Sequence, residues 1–268
     1  MRENLLFLQK ELALLKEVVI EAGNIAKSCF GTDLTVSFKE ENSPVTNVDI
    51  EVDNYLKKTL LTNRPNYGWI SEESNDDRKL QKQPEYYFVV DPIDGTRGFI
   101  AGANNWTISI ALANDDGIPL VGVLYCPMLD KCYEAIINHG AFLNSEPIAK
   151  LTDKKLQDKL IFSVSPAMLK KIDLSLNNIE LGEDIASLAY RIALLVEAKI
   201  DCVIVRPNCN DWDIMAIDLI LQEVGGKIAD LNGEKVNYMQ ANKKHDLLVV
   251  SRNSLIHDLI KLIKHEIK

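Results

Sequence analysis

Tyr86 to Val90, YYFVV, is an apolar run with no polar alternation. A strand with one face in water alternates apolar and polar side chains, so an unbroken run reads as a strand covered on both faces. Such a strand belongs inside a layered fold, with other elements packed on each side of its sheet. The run ends abruptly in Asp91-Pro92-Ile93-Asp94-Gly95-Thr96. Asp-Pro starts turns and glycine tolerates positive φ, so a plain turn is one reading. The other begins with two carboxylates delivered together at a strand end. Held that close they repel, and each would keep its proton to higher pH. A divalent cation relieves the repulsion, and oxygen-only ligands select Mg2+, Mn2+ or Ca2+ over zinc. Gly95 and Thr96 then open a helix or tight turn whose free N–H groups would cradle a phosphate.

The periodicity around this strand supports a layered α/β chain. Leu5, Leu8, Leu12, Leu15, Val19 and Ala22 recur at helical spacing, and Asp49 to Leu61 reads as a helix with Val52, Tyr55, Leu56 and Leu60 on one face. LTVSFKEENSPVT reads as a short strand followed by a polar loop. Tyr67 to Ser71 reads as another strand and Ser74 to Glu85 as a solvated excursion. WTISIALAN, with Ile108, Ile110 and Leu112 on one face, PLVGVLYCP and KCYEAIIN predict an antiparallel meander that uses the Asp115-Asp116-Gly117 turn. Downstream, LIFSVS, CVIV and LLVVS read as strands. Asp184 to Lys199, Trp212 to Val224 and the last residues read as helices, the second closed by Gly225-Gly226. The polar stretch Asn144 to Asp158 is the expected domain boundary, between an α+β half, 1–150, and an α/β half, 151–268.

Composition narrows the function classes. The 268 residues are 47% hydrophobic, enough for a proper core, and carry a formal net charge of −9. That charge argues against binding a nucleic-acid polymer or an anionic membrane surface. Charges interrupt the leucine-rich start, so it reads as neither a signal peptide nor a membrane span, which needs about 18 apolar residues. Five cysteines without a CxxC, and four scattered histidines, predict reduced thiols, a cytoplasmic protein and no Cys/His zinc site. Cys126, Cys132, Trp106 and Trp212 read as packing residues, and the pairs Lys154-Lys155 and Lys170-Lys171 as solvated faces.

Two further places supply acid at element ends. ISEES puts Glu72 and Glu73 just past a short strand, and NDWD puts Asp213 in the first turn of a helix. Alone, the first is an exposed loop and the second a carboxylate favoured by the helix dipole. Asp218 lies mid-helix and reads as structural.

Co-occurrence in order changes the weighting. GWISEES (68–74), VVDPIDGT (89–96) and NDWDIMAIDLILQEVGGK (210–227) resemble the inositol monophosphatase superfamily of metal-dependent, lithium-sensitive phosphatases; SPVTNVD (43–49) and GVLYCP (122–127) also fit. The resemblance covers nearly the whole chain. It implies an alternating αβαβα sandwich of the inositol monophosphatase/fructose-1,6-bisphosphatase type, and a homodimer. It implies two or three Mg2+: one at Glu72, Asp91 and the Ile93 carbonyl, a second at Asp91, Asp94 and Asp213, and a weaker third near Glu72. Thr96 and Asp49 would pair beside the attacking water, and the Gly95 and Thr96 N–H groups would hold the phosphate.

An aspartyl-phosphate route of the haloacid-dehalogenase kind needs DxDx[TV]; here the spacing is D-x-x-D with a proline inside, which predicts direct attack by water. The ester is read from fewer residues. Inositol monophosphatases usually carry a glutamate seven residues before the WD aspartate, where this chain has Arg206. Arginine only donates, which suits a second phosphate at the rim, although a surface arginine at a strand end would look the same. SPVTNVD and Lys39 resemble 3'(2'),5'-bisphosphate nucleotidases and histidinol phosphatases. The substrate expected is 3'-phosphoadenosine 5'-phosphate; the alternatives are inositol monophosphate, histidinol phosphate, or a regulatory binding module without turnover.

Overall fold

The structure, a computed structural model, describes residues 4–39, 44–74, 83–174, 177–240 and 244–267. Helix α1 (Leu5–Cys29) is capped by Asn4 and leads to the paired strands β1 (Val36–Phe38) and β2 (Pro44–Thr46). Helix α2 (Asn47–Asn63) and strands β3 (Gly68–Ser71) and β4 (Tyr86–Asp94) follow, then the short α3 (Thr96–Ile100). Strands β5 (Thr107–Asn114), β6 (Pro119–Cys126), β7 (Lys131–Ile136), β8 (Ala141–Leu143) and β9 (Glu146–Pro147) run on as a meander. The rest is β10 (Leu160–Val164), α4 (Pro166–Leu169), β11 (Ile179–Leu181), α5 (Leu188–Val196), β12 (Cys202–Val205), α6 (Asp211–Glu223), β13 (Gly226–Asp230), β14 (Leu248–Arg252) and α7 (Ile256–Glu266).

Two sheets result. One has the order β3-β4-β5-β6-β7-β8-β9, the other β11-β10-β12-β14-β13. Strand β4 lies inside the first sheet, parallel to β3 and antiparallel to β5, and Tyr87 to Val90 are buried on both faces, as an unbroken apolar run requires.

Side-chain alternation then builds three cores and five layers. Phe88, Val90, Ile108, Ile110 and Leu112 face α1 and α2, meeting Leu15, Val19, Val52 and Leu56. Their neighbours Val89, Ala111 and Ala113 face α5, α6 and the inner side of the second sheet, including Val203 and Val250. Phe162, Ile204 and Val249 on its outer side pack on Leu259, Ile260 and Ile263 of α7. The order is αβαβα. Each fully buried aliphatic side chain contributes about 1.5–3 kcal/mol of transfer free energy, so the layering is held mainly by these apolar faces. Helix α6 presses closely on the first sheet: a Cβ on Gly122 of β6 would stand 2.6 Å from the Ala216 carbonyl oxygen. Among the described residues, no helix is long and apolar enough to cross a membrane.

Four local expectations are corrected. First, β4 does not stop at Asp91. It continues through Asp94, with a register shift between pairs Asp91–Ser109 and Asp94–Thr107. Pro92, which has no N–H for the ladder, is accommodated in that bulge. Second, the loop after β1 returns as β2, although Glu40 to Ser43 lie outside the described residues, as do residues 75–82 of the polar excursion. Third, α5 begins at Leu188 and ends at Val196, shorter than Asp184 to Lys199, because Ser187 is held as its N-cap by a contact from the first sheet. Fourth, Lys154 is not merely solvated. Its Nζ lies 2.7 Å from the carboxylate of buried Asp201.

Candidate active site

The β-bulge and the elements around it gather five carboxylates at one end of the first sheet. Asp91 and Asp94 come from β4, Glu72 from the residue after β3, Asp49 from the first turn of α2 and Asp213 from the first turn of α6. Asp91 is 2% exposed, and its Oδ1 accepts from the Ile93 N–H at 3.1 Å. Burial first, then the negative charges of Glu72, Asp94, Asp213 and Asp49, push its pKa well above the usual carboxylate range. Asp213 is half-buried; loss of solvation and then the charge of Glu72 push it up to about 8.

Each carboxylate is oriented by local structure. Thr46 and Asp49 form a capping box at α2: Asp49 Oδ2 accepts from the Thr46 N–H at 2.8 Å and from its hydroxyl at 2.5 Å. The other oxygen, Oδ1, accepts from Thr96 Oγ1 at 3.0 Å. Thr96 Oγ1 also lies 3.0 Å from the Ile93 carbonyl. Burial raises Asp49 despite these bonds. Asp213 Oδ2 accepts from the Asn210 N–H at 2.7 Å, a second capping box, so its place in the first turn has a geometric cause beyond the helix dipole. Gly95 has φ of +95°, and a Cβ there would meet the Ser187 backbone at 3.0 Å. Only glycine turns the chain there. Phe99 then anchors α3 edge-on to Trp106, with ring centroids 5.0 Å apart.

Sequence reasoning missed three contributors, Ser187, Arg191 and Asp53. Ser187 Oγ donates to Asp94 Oδ2 at 2.5 Å, and the Leu188 and Ala189 N–H groups donate to the same carboxylate at 3.2 and 2.7 Å. Asp94 thus sits on the amino end of α5 and joins that helix to the first sheet. Arg191, one turn into α5, is 8% exposed; its charge acts on Asp94 and on Arg206, and its Nε has no hydrogen-bond partner among the described residues. Asp53 accepts from Ser71 Oγ at 2.5 Å and ties α2 to the end of β3. Lys39 reaches Glu72 at 3.0 Å and Glu73 at 2.5 Å. Arg191 had a weak sequence signal, a charge within an apolar helix; the Ser187 contact had none. Arg206 is exposed, and its positive charge acts on Asp213.

Among the described residues, no three acidic, histidine or cysteine side chains are grouped so that they could hold a metal ion as they stand. The fit to a divalent cation rests on donor chemistry. The set is all oxygen, its members repel one another, and the charges acting on buried Asp91 are those of four other acids, Glu72, Asp94, Asp213 and Asp49.

A family model described as "Inositol monophosphatase family" matches residues 8–266. The chain belongs to the inositol monophosphatase family. It is 29% identical over 229 residues to the 3'(2'),5'-bisphosphate nucleotidase CysQ of Aggregatibacter actinomycetemcomitans, covering 83% of this chain and 85% of that one. It is 29% identical over 266 residues to the inositol monophosphatase of Dictyostelium discoideum, covering 96% and 94%. The solved structure of 2'AMP-bound SaIMPase-II superposes with a TM-score of 0.80 at 26% identity, covering 96% and 95%. The αβαβα layering is therefore that of the inositol monophosphatase family, whose members are phosphatases and generally metal-dependent.

Proposed function

We propose that this phosphatase hydrolyses a small phosphate monoester with Mg2+, and that its substrate carries a second phosphate, as 3'-phosphoadenosine 5'-phosphate does. The carrying observation is the convergence of Glu72, Asp91, Asp94 and Asp213, from separate elements, into one group of mutually repelling carboxylates. Glu72, Asp91 and the Ile93 carbonyl would hold one Mg2+; Asp91, Asp94 and Asp213 would hold the second, with a weaker third ion near Glu72. Bound there, Mg2+ supplies charge neutralisation for the phosphate and the leaving alkoxide and lowers the pKa of water.

The chain's own groups do the rest. Thr96 Oγ1, held by Asp49 Oδ1, orients the water that attacks phosphorus, and Glu72 accepts its proton. The Gly95 and Thr96 N–H groups face the phosphate oxygens. The P–O bond to the leaving group breaks, the alcohol takes a proton, and inorganic phosphate departs without a phosphoenzyme.

Two cations support the bisphosphate reading. Arg206 is exposed beside Asp213, and Arg191 stands between Arg206 and Asp94 in the electrostatics of the site. Guanidinium groups favour phosphate geometry and accept nothing from sugar or inositol hydroxyls. The likeness to CysQ points the same way, whereas the likeness to the Dictyostelium enzyme keeps inositol monophosphate as the second reading.

The test is kcat/KM on 3'-phosphoadenosine 5'-phosphate and on inositol monophosphate, with and without Mg2+, for the native protein and Arg206→Glu. The bisphosphate is expected to be preferred, and the substitution to reduce that preference by about tenfold or more, the scale of one charged hydrogen bond. Preference for the inositol ester, unchanged by Arg206→Glu, would refute the substrate assignment. Phosphate release indifferent to Mg2+, or a phosphorylated Asp91, would refute the chemistry.

A further inference from the structure

Asp94 leaves the first sheet at its bulge and is met by the start of α5, in the layer between the two sheets. Its Oδ2 accepts from Ser187 Oγ at 2.5 Å and from the Ala189 N–H at 2.7 Å, with Thr107 Oγ1 further off at 3.5 Å. Its Oδ1 accepts one longer bond, 3.2 Å from the Leu188 N–H. An ionised carboxyl offers about four lone-pair positions, two on each oxygen. Both on Oδ2 are taken by short bonds, and one on Oδ1 remains open. The chain itself thus decides which oxygen of Asp94 is left for an ion.

Ser187 is held so that this arrangement is fixed. It is fully buried and is the N-cap of α5, where its Oγ accepts from the Tyr190 N–H at 3.0 Å. A hydroxyl has one proton to give. With Tyr190 donating to the oxygen, that proton goes to Asp94 at 2.5 Å rather than to Thr107 Oγ1 at 3.3 Å. The two stretches of backbone are also in contact: a Cβ on Gly95, the residue after Asp94, would stand 3.0 Å from the Ser187 backbone nitrogen. The hydroxyl is shut off from solvent, so water does not stand in for it. The other acids are oriented by other means. Asp91 and Asp213 accept from the Ile93 and Asn210 N–H groups, and Glu72 from Lys39.

We propose that Ser187 is a positioning residue for the second cation: its hydroxyl fixes Asp94 so that Oδ1 alone is offered to that ion. The proposal rests on the reading of Asp91, Asp94 and Asp213 as ligands of the second Mg2+, and it singles out that ion. The first, at Glu72, Asp91 and the Ile93 carbonyl, uses no atom that Ser187 touches. Removing a group that orients a metal ligand by hydrogen bonding typically weakens metal binding by about 10–100-fold. Ser187 also caps α5, and an N-cap tolerates glycine far better than alanine. Substitution by each of the two therefore separates capping from metal positioning.

The experiment is a calorimetric titration of the full chain with Mg2+, beside metal-free thermal unfolding, for the native protein, Ser187→Gly and Ser187→Ala. The native protein is expected to bind at least two ions. Both variants should bind one of them about tenfold more weakly or worse, and the others as before. The loss should be alike in the two, although Ser187→Ala lowers Tm more. The proposal fails if no affinity changes, if all weaken together, or if the loss grows with the fall in Tm from Ser187→Gly to Ser187→Ala, the mark of a cap and nothing more. If neither variant folds, a crystal of the native protein soaked with Mn2+ carries the test. An ion on Asp94 Oδ1, with Oδ2 still on Ser187, is expected, and an ion held by Oδ2 overturns the proposal. A native protein that takes up no divalent ion at these acids overturns the metal reading itself, a result distinct from all of these.

Discussion

Asp91 and Asp201 are equally buried aspartates with opposite surroundings. Asp201, 1% exposed before β12, accepts from Arg252 at 2.5 Å, from Lys154 at 2.7 Å and from the Ile161 N–H at 2.9 Å. Two cations and a backbone donor answer one carboxylate, and the contact clips the 151–159 connection to the second sheet. Asp91, 2% exposed, has one backbone donor and a ring of acids. Burial alone therefore says little about role. The sign of the surrounding charge separates a structural carboxylate, neutralised by the chain itself, from one that is left for something outside the chain to neutralise.

The largest effect should come from Asp91→Asn. Turnover should fall by about a thousandfold or more, as expected when a group shared by two cations is removed. The same change should raise the Tm of the metal-free protein, because it deletes a charge from a repelling cluster. A lowered metal-free Tm would erase the contrast with Asp201. Next, Arg252→Met should destabilise the fold by about 1–3 kcal/mol, since it removes one of the two cations that answer the buried Asp201 carboxylate. Specific activity of the remaining folded protein should hold; denaturant unfolding with an assay on the same samples decides.

A third effect is on pH. Glu73, pushed up to about 7 mainly by burial, and Asp213, pushed up to about 8, hold protons in the folded chain well above their ordinary values of 4.5 and 3.8. Between those limits the folded protein binds more protons than the unfolded chain, so its stability falls as pH rises. Metal-free Tm should therefore decline from about pH 5 to about pH 8, and Mg2+ should restore most of the loss at the upper end by binding the ionised forms. A Tm that climbs over this interval without metal would contradict it. The smallest effect is at Thr46→Ala, which removes the hydroxyl half of the α2 capping box and should cost about 1 kcal/mol by thermal unfolding, with a modest loss of kcat because Asp49 is less firmly placed.

Where local pattern and packing agree, the sequence was enough. The period of α1 and α2, the unbroken YYFVV and the alternation of Ile108, Ile110 and Leu112 all carry burial, and burial is what selects those elements. The clustering of acids at element ends was also legible, because strand ends and first helical turns are marked by local chemistry. The start of α5 was not. Asp184 to Leu188 has helical composition, but Ser187 and the next two N–H groups are claimed by Asp94, 93 to 95 residues away. Nor was the bulge that keeps Asp94 in the β4–β5 ladder, which depends on the partner strand's register.

The sequence by itself determined the layer-forming segments, the turn-making Gly95 and the inventory of carboxylates, since each follows from side-chain type and spacing along one stretch of chain. Only the tertiary structure decided which charges face one another. It set Lys39 on Glu72, Arg191 beside Asp94 and Arg252 under Asp201. Electrostatic energy depends on distance through space and on exclusion of water, and neither quantity is written along the chain.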